Sequence, residues 1–284
     1  MCDSKCKDVL VSVVIANYNY GRFLNDAITS VLSQEQAHRC EVIVVDGGSS
    51  DESLEVIKRH ADNIAWWCSE KDKGQSDAFN KGFGHASGKF GCWLNADDLM
   101  MPGTIKRVVD YVERYPETEW LSGSCMFSDA DLRIWRCSRC PRVYSWFGKL
   151  MPAAPVNGPS SFFRIDNLRR LGGFDITAHY TMDIDLWRKF FANGIKLHQV
   201  KDYFWCFRCH EQSKTSSQRT TGVHVGEPDA EADRINLRYG ISRRTRKLSE
   251  KLDRFLRLVT GMYLWSYIDT KRYKGVDARE LSRR

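Results

Sequence analysis

Residues 89–103, KFGCWLNADDLMMPG, carry two adjacent carboxylates, Asp97 and Asp98, just past an apolar run that ends at Leu94. Ionised groups at the mouth of a buried strand lose water, which is costly unless a cation or hydrogen-bond donors replace it. A hard divalent ion carrying a diphosphate is one solution. Oxygen ligands suit Mg²⁺ or Mn²⁺, and the remaining coordination positions pass to phosphate oxygens. The same residues also read as a solvated loop in which Asp98 caps a helix beginning near Pro102. A second pattern with ligand spacing is Cys137-x-x-Cys140 with Cys206-x-x-Cys209. Paired units of this kind build structural zinc sites. However, Cys206 and Cys209 lie in FWCFRCH, which reads as a strand, and strand positions three apart point to opposite faces. Buried thiols are the better reading.

These groups need a frame to hold them. Residues 10–16, LVSVVIA, form a β-branched run that predicts a fully buried strand. Residues 22–34 follow with Phe23, Ala27, Ile28, Val31 and Leu32 at helical spacing. Residues 41–45 predict a second buried strand running into DGGSSD, where Ser50 or Asp51 caps a helix through Ile57. A third strand over 64–68, a helix over 78–86 and a fourth strand over 90–94 come next. Alternating strands and helices predict a parallel α/β sheet. Ligands of such sheets gather beyond the carboxyl ends of the strands, where the polar loops 17–19, 46–51, 72–77 and 95–98 all fall. No Gly-x-Gly-x-x-Gly or Walker lysine loop is present, which weakens dinucleotide and P-loop readings.

Beyond this half the pattern predicts a helix over 104–115 and a strand and turn over 120–129. An aromatic, basic, irregular stretch over 133–151 reads as a loop over the site. A strand over 160–164 and helices over 165–171 and 182–193 come after it, then one or two strands within 195–208. Asp183 and Asp185 open the helix over 182–193, where its dipole favours acids, so capping alone accounts for them. The polar, turn-rich stretch 217–241 predicts a linker. From 242 onward Leu248, Leu252, Phe255, Leu256, Val259 and Met262 share one helical stripe among many arginines and lysines. Such a basic amphipathic tail, 242–284, lies on anionic lipid or packs on its own domain.

The totals narrow the classes. At 284 residues, with 42% hydrophobic and 12% aromatic content, the chain can bury a core and is not disordered. Its net charge of +7 favours anionic partners, and the basic residues are not interleaved with a nucleic-acid motif. Ten cysteines, a charged start and no apolar run approaching the ~20 residues that span a bilayer predict a cytoplasmic protein. At most it is peripheral on the inner face of a membrane.

In this order the motifs resemble those of the inverting glycosyltransferases of family 2, with the GT-A fold. VSVVIANYNYGRFL resembles their opening strand and loop, with Ala16 where proline is commoner. VIVVDGGSSD resembles the second nucleotide loop, and EKDKGQSDAFNKGFGHASGKFGCWLNADDLMMPG the segment running into the metal motif. GPSSFFRIDNLRRLGGFD with YTMDIDLWRKF resembles the acceptor-side segment, and FRCHEQSKT the closing strand. The resemblance covers roughly residues 9–216, divided into a nucleotide-sugar half over 9–100 and an acceptor half over 101–216. It departs in two places. The metal motif usually reads Asp-x-Asp, but here Asn95 holds the first position. Glu usually precedes the catalytic acid, but here Met182 does.

The resemblance implies transfer of a sugar from a nucleoside diphosphate such as UDP to a hydroxyl of a saccharide or lipid-linked saccharide, as in polysaccharide biosynthesis. It places the donor against Ala16, Tyr18, Asp46, Lys73, Gln75, Asp77, Asn95, Ala96 and Asp97. Asp46 would accept from the NH of uracil or guanine, Asn95 would take a ribose hydroxyl, and Lys73 would meet phosphate. A divalent metal, Mn²⁺ or Mg²⁺, would sit on Asp97 and Asp98 with His210. Arg208 and Lys214 would neutralise phosphate. Asp183 would be the general base, because an inverting displacement needs one carboxylate to take the acceptor proton. Trp187 would offer the acceptor an apolar face or pack in the core. Two other classes compete. A non-catalytic nucleotide-sugar-binding subunit would bind without turnover, although Asp97 and Asp183 argue against it. A nucleotidyltransferase would need a glycine-rich basic signature near the first strand, which residues 16–22 lack.

Overall fold

Four parallel strands form the first half of the sheet, each ending in polar residues at the same edge. They are β1 (Val11–Asn17), β2 (Cys40–Asp46), β3 (Trp66–Ser69) and β4 (Phe90–Asn95). The structure is a computed structural model that describes residues 9–140, 156, 158–213 and 227–283. Helices α1 (Gly21–Leu32), α2 (Ser53–His60) and α3 (Gln75–His85) connect these strands. The register pairs Asn17 with Asp46, Asp46 with Ser69, and Ala16 with Asn95. Four chain turns therefore arrive at one edge level with one another.

Alternation along β1 sends its two faces into different cores. Val11, Val13 and Ile15 pack with α1, α2 and the later helix α4 (Thr104–Arg114). Val14 packs on the opposite side with α3. Fully burying side chains of this size stabilises by about 1.5–3 kcal/mol each, before the conformational entropy cost. Gly82 lets α3 approach closely, since a Cβ there would sit 2.3 Å from Val14 Cγ1.

The second half is mixed. Strands β5 (Leu99–Met100), β6 (Trp120–Ser128), β7 (Ile134–Ser138), β8 (Ser161–Arg164) and β9 (Leu197–Arg208) complete a nine-stranded sheet among the described residues. Its order is β3-β2-β1-β4-β8-β6-β9-β5, with β7 on β6. Helices α5 (Ile165–Arg170) and α6 (Met182–Ala192) cover the α3 side through Leu168, Leu186 and Phe190. This is the expected α/β GT-A architecture with C-terminal helices.

The one or two strands expected within 195–208 are the single strand β9. Three expectations change. The irregular stretch 133–151 begins as β7, because Ile134 and Cys137 turn inward beside Met126 and Cys206; residues 141–151 lie outside the described residues. The linker 217–241 contains helix α7 (Glu227–Arg238), with Ile235 in the core; residues 217–226 are not described. Neither Ser50 nor Asp51 is the N-cap of α2; Glu52 is, and Asp51 accepts instead from Ser53 N and Gly21 N. The tail forms α8 (Arg243–Val259) and α9 (Met262–Tyr273).

Candidate active site

A cleft of about 1000 Å³ opens at the carboxyl edge of β1–β4. Of the residues expected to hold the donor, Ala16, Tyr18, Gln75, Asn95, Ala96 and Asp97 line it. Asp72, the first residue of the loop 72–77 expected at this edge, lines it too. So do Lys71, His179, Tyr180, Gln212 and Ser213, which sequence reasoning did not single out. Lys71 could have been found from its place, just beyond β3 on the ligand edge. His179 and Tyr180 carry no such signal.

Asp46 organises the first wall from beneath. Its Oδ1 accepts from Asn17 Nδ2 (2.6 Å) and Ser49 Oγ (2.5 Å). Its Oδ2 accepts from Ser49 N (3.0 Å) and Ser69 Oγ (2.7 Å). Burial pushes this carboxyl up, but donors from Ser49, Ser69 and Asn17 outweigh burial and hold it below the usual range. The expected base contact is therefore corrected. Asp46 is fully buried with both oxygens committed, and it shapes the loop that presents Tyr18, which is 61% exposed. Gly47 lies close under Asp72: a Cβ there would sit 2.7 Å from Asp72 Oδ2, so that carboxylate would have to shift.

Asn95 links two neighbours. Its Oδ1 accepts from Gln75 Nε2 (2.7 Å) and its Nδ2 donates to Asp98 Oδ2 (2.8 Å). A carboxylate at 95 could not make the second bond, which accounts physically for Asn in the first motif position. These bonds use one of the amide's two N–H donors and one of its oxygen's lone pairs, and Asn95 lines the cleft. Asp98 is fully buried, and its Oδ1 accepts from Arg208 N (3.0 Å). Burial and the neighbouring Asp97 push it well above the ordinary carboxylate value. Asp98 is accordingly neither a helix cap nor exposed to a metal; Gly103 is the N-cap of α4.

Asp97 faces the cleft, with His210 Nε2 3.0 Å from its Oδ2. The other ring nitrogen, Nδ1, is buried without a partner among the described residues. His210 packs against Phe23 and edge-on to Tyr20, whose hydroxyl donates to the Gln212 carbonyl. Among the described residues no group of three or more His, Cys, Asp or Glu side chains could hold a metal. Asp97 and His210 nevertheless fit a diphosphate-bound ion. A carboxylate oxygen and an imidazole nitrogen 3.0 Å apart are donor types that such an ion would accept beside phosphate oxygens. The paired cysteine motifs bring Cys137 beside Cys206 but build no three-ligand group among the described residues, and Cys140 Sγ meets Gln199.

Three more expected contacts are corrected. Lys73 is exposed and outside the cleft lining, where Lys71 stands instead. Asp77 lies outside the lining as well: its Oδ2 accepts from Lys73 N (3.0 Å) and pairs with Lys81 (3.8 Å), tying down the start of α3. Arg208 is buried and pairs with Asp26 (2.8 Å) rather than facing phosphate; Lys214 lies outside the described residues.

The second wall is the start of α6. Asp183 stands three residues beyond Tyr180 and is half-buried; it is not itself among the lining residues. Its Oδ1 accepts from Ile184 N (2.8 Å). Burial raises its pKa, partly offset by the charge of Arg188. Glu231, on α7, holds the approach to this helix. It accepts from His179 N (3.2 Å), Tyr180 N (2.9 Å), Thr181 N (2.9 Å) and Thr181 Oγ1 (2.6 Å). Burial pushes Glu231 up, and these donors outweigh it and hold the carboxyl below its usual range. Arg188 donates to Asn236 Oδ1 (2.8 Å). Asp185 pairs with Lys189 (2.9 Å) and accepts from Tyr239 OH (3.1 Å). Trp187 is a core residue, not an acceptor platform. It is 1% exposed and stacks on Trp93 (5.5 Å) and Trp120 (4.5 Å).

A family model described as glycosyl transferase family 2 matches residues 12–182. An uncharacterized glycosyltransferase of Nostoc sp. is 40% identical over 103 residues, 35% of this chain and 32% of that one. One from Rickettsia typhi is 28% identical over 192 residues, 64% of this chain and 58% of that one. The chain thus spans less than two thirds of these relatives. EpsE of Bacillus subtilis, named as a glycosyltransferase, is 26% identical over 74% of this chain and 76% of its own. Among solved structures, the S. aureus TarS 1-349 complex with UDP superposes with a TM-score of 0.58 at 17% identity, covering 81% of this chain and 70% of that one. The mannosyltransferase PcManGT of Pyrobaculum calidifontis, in complex with GDP-Man and Mn²⁺, gives 0.61 at 18% identity, covering 95% and 77%. At such identities these structures speak for the fold.

Proposed function

The chain belongs to glycosyl transferase family 2, and on that footing we propose that it moves a sugar from a nucleoside diphosphate to a hydroxyl of a saccharide or lipid-linked saccharide, with inversion at the anomeric carbon. The observation that carries this reading is the cleft itself. Asp97, with His210 bonded to it, shares the lining with Tyr18 and Asp72 and with His179 and Tyr180 of the loop leading to Asp183. That neighbours of the same fold bind UDP and GDP-Man supports a nucleotide-sugar donor here.

In this reading Tyr18 lies along the base, and Gln75 and Asn95 border the donor's ribose and sugar. Asp183 takes the proton of the acceptor hydroxyl as its oxygen attacks the anomeric carbon. The bond from that carbon to the diphosphate breaks, and the nucleoside diphosphate leaves with the electron pair. Burial suits Asp183 to the task, because a raised pKa makes a carboxylate a stronger base. Asp97 and His210 would hold the Mn²⁺ or Mg²⁺, which when bound offsets the charge on the departing diphosphate.

A thermal-shift panel of UDP-, GDP- and dTDP-sugars, with and without Mn²⁺, tests the donor. Ligands that bind only the native state raise its melting temperature by mass action. One class should stabilise the protein, more so with the metal, and release nucleoside diphosphate when a suitable acceptor is added. Stabilisation without release across a broad acceptor panel would favour a non-catalytic binding subunit.

A further inference from the structure

The two C-terminal helices divide their residues by face. On α8, Ser249 and Asp253 are buried, and Leu252 and Leu256 pack against the core cluster on the α3 side. On α9, Thr270 Oγ1 accepts from Cys137 N (2.9 Å) and Ser266 Oγ from Arg139 N (3.0 Å). Asp269 binds the Arg139 guanidinium through both oxygens. These contacts fix the inner faces on the domain. Packing, one of the two alternatives open from the sequence, is therefore present, but it consumes only part of each helix.

The outer faces stay apolar and cationic. On α8, Arg244, Leu248, Lys251, Phe255 and Leu258 recur at the spacing of one helical face, and all are exposed. Leu248 is 66%, Phe255 57% and Leu258 67% exposed. On α9, Leu264, Trp265 and Ile268 are exposed as well. Lys247, Arg254, Lys271 and Arg272 add exposed cations. The three acids of 243–274 are each paired with arginine: Glu250 with Arg246, Asp253 with Arg257 and Asp269 with Arg139. Uncompensated charge on this surface is therefore positive.

We propose that the outer faces of α8 and α9 form a docking surface for an anionic lipid bilayer. Leucine, phenylalanine and tryptophan enter the boundary between headgroups and acyl chains, and the arginines and lysines meet the headgroup phosphates. The charge pattern selects this occupant over a second copy of the chain, since two such surfaces face to face would set cation against cation. Among the described residues no helix is long and apolar enough to cross a membrane, so attachment is to its surface. The surface shares no residue with the cleft, and its test stands whatever the cleft transfers.

Flotation of the full chain with vesicles of phosphatidylcholine alone, or with one third phosphatidylglycerol, tests the surface. Binding should be roughly tenfold or more stronger to the anionic vesicles and should fall sharply between about 0.1 and 0.5 M NaCl. The exposed pair Leu248→Ser with Phe255→Ser, and separately Lys247→Glu with Lys251→Glu, should each lower it about tenfold while leaving the melting temperature in place. Equal partition into both vesicle types, or none into either, overturns the proposal. So does a dimer by light scattering that the Leu248→Ser/Phe255→Ser pair dissolves, because the face would then belong to a second copy.

Discussion

The two walls of the cleft are secured by different means. On the wall of β1–β4, the residues that hold a loop come mostly from the ends of neighbouring strands of the same sheet. Asp46 gathers Asn17, Ser49 and Ser69 beneath Tyr18, and Asn95 ties Gln75 to Asp98. On the wall of α6, the support comes from some fifty residues away, where Glu231 grips 179–181 and Asn236 grips Arg188. Neighbouring parallel strands bring their own polar ends together by register, and the end of β9 closes this wall, with Arg208 N on Asp98 and His210 on Asp97. A helix that must start at a defined place beside that sheet needs an outside anchor, and α7 supplies it.

The sharpest way to test the division of labour is Asp183→Asn. Turnover should fall by about 10²–10⁴-fold, the usual contribution of a general base, while donor affinity on the opposite wall stays within twofold or so. The pH profile adds a sign. The base works ionised, so the rate rises with pH through the Asp183 pKa, which burial places above the ordinary carboxylate value. In the Asn variant that acidic limb should vanish. Turnover that survives unchanged would remove Asp183 from the chemistry.

Legibility followed the same division. The strands of the first half, their helices and the ligand-bearing edge could be read from β-branched runs broken by polar loops, because local pattern and tertiary position agree there. Individual roles were less legible. Whether Asp46, Asp98 or Trp187 faces a ligand or the interior depends on side-chain direction and on distant partners: Ser69 for Asp46, Arg208 for Asp98, Trp93 and Trp120 for Trp187. Glu231 was invisible for a related reason. It sits in a stretch whose polarity reads as a linker, and only the folded chain shows its oxygens meeting a turn of backbone N–H groups.

Glu231 gives the next prediction, smaller in size. Glu231→Ala leaves the 179–181 donors without their acceptor, and an unsatisfied buried group costs about 1–3 kcal/mol. The rate should drop roughly tenfold to a hundredfold through misplacement of Asp183, with a smaller change in donor affinity. Glu231→Gln keeps one acceptor oxygen and should recover part of the loss. A fall in melting temperature with an unchanged rate would make Glu231 merely structural and erase the distinction between the walls.

The mildest effect concerns the wall of β1–β4. Asn95→Asp restores the commoner motif residue, yet here it should harm stability. It replaces the Nδ2 donor to Asp98 with a second carboxylate, beside a buried group already pushed upward. Losing that bond and adding a like charge should cost about 1–3 kcal/mol, read as a drop of several degrees in melting temperature. The sign with pH comes from linkage. A carboxyl pair whose folded pKa is raised keeps its stability at low pH, where one proton is shared, and loses it as pH rises through the folded value. The variant should therefore approach the wild type near the unfolded carboxylate value, about pH 4, and diverge from it toward neutral pH, about 7. A melting temperature equal to the wild type at both values would mean that Asn95 is not needed to satisfy Asp98, and that this wall, too, is held from elsewhere.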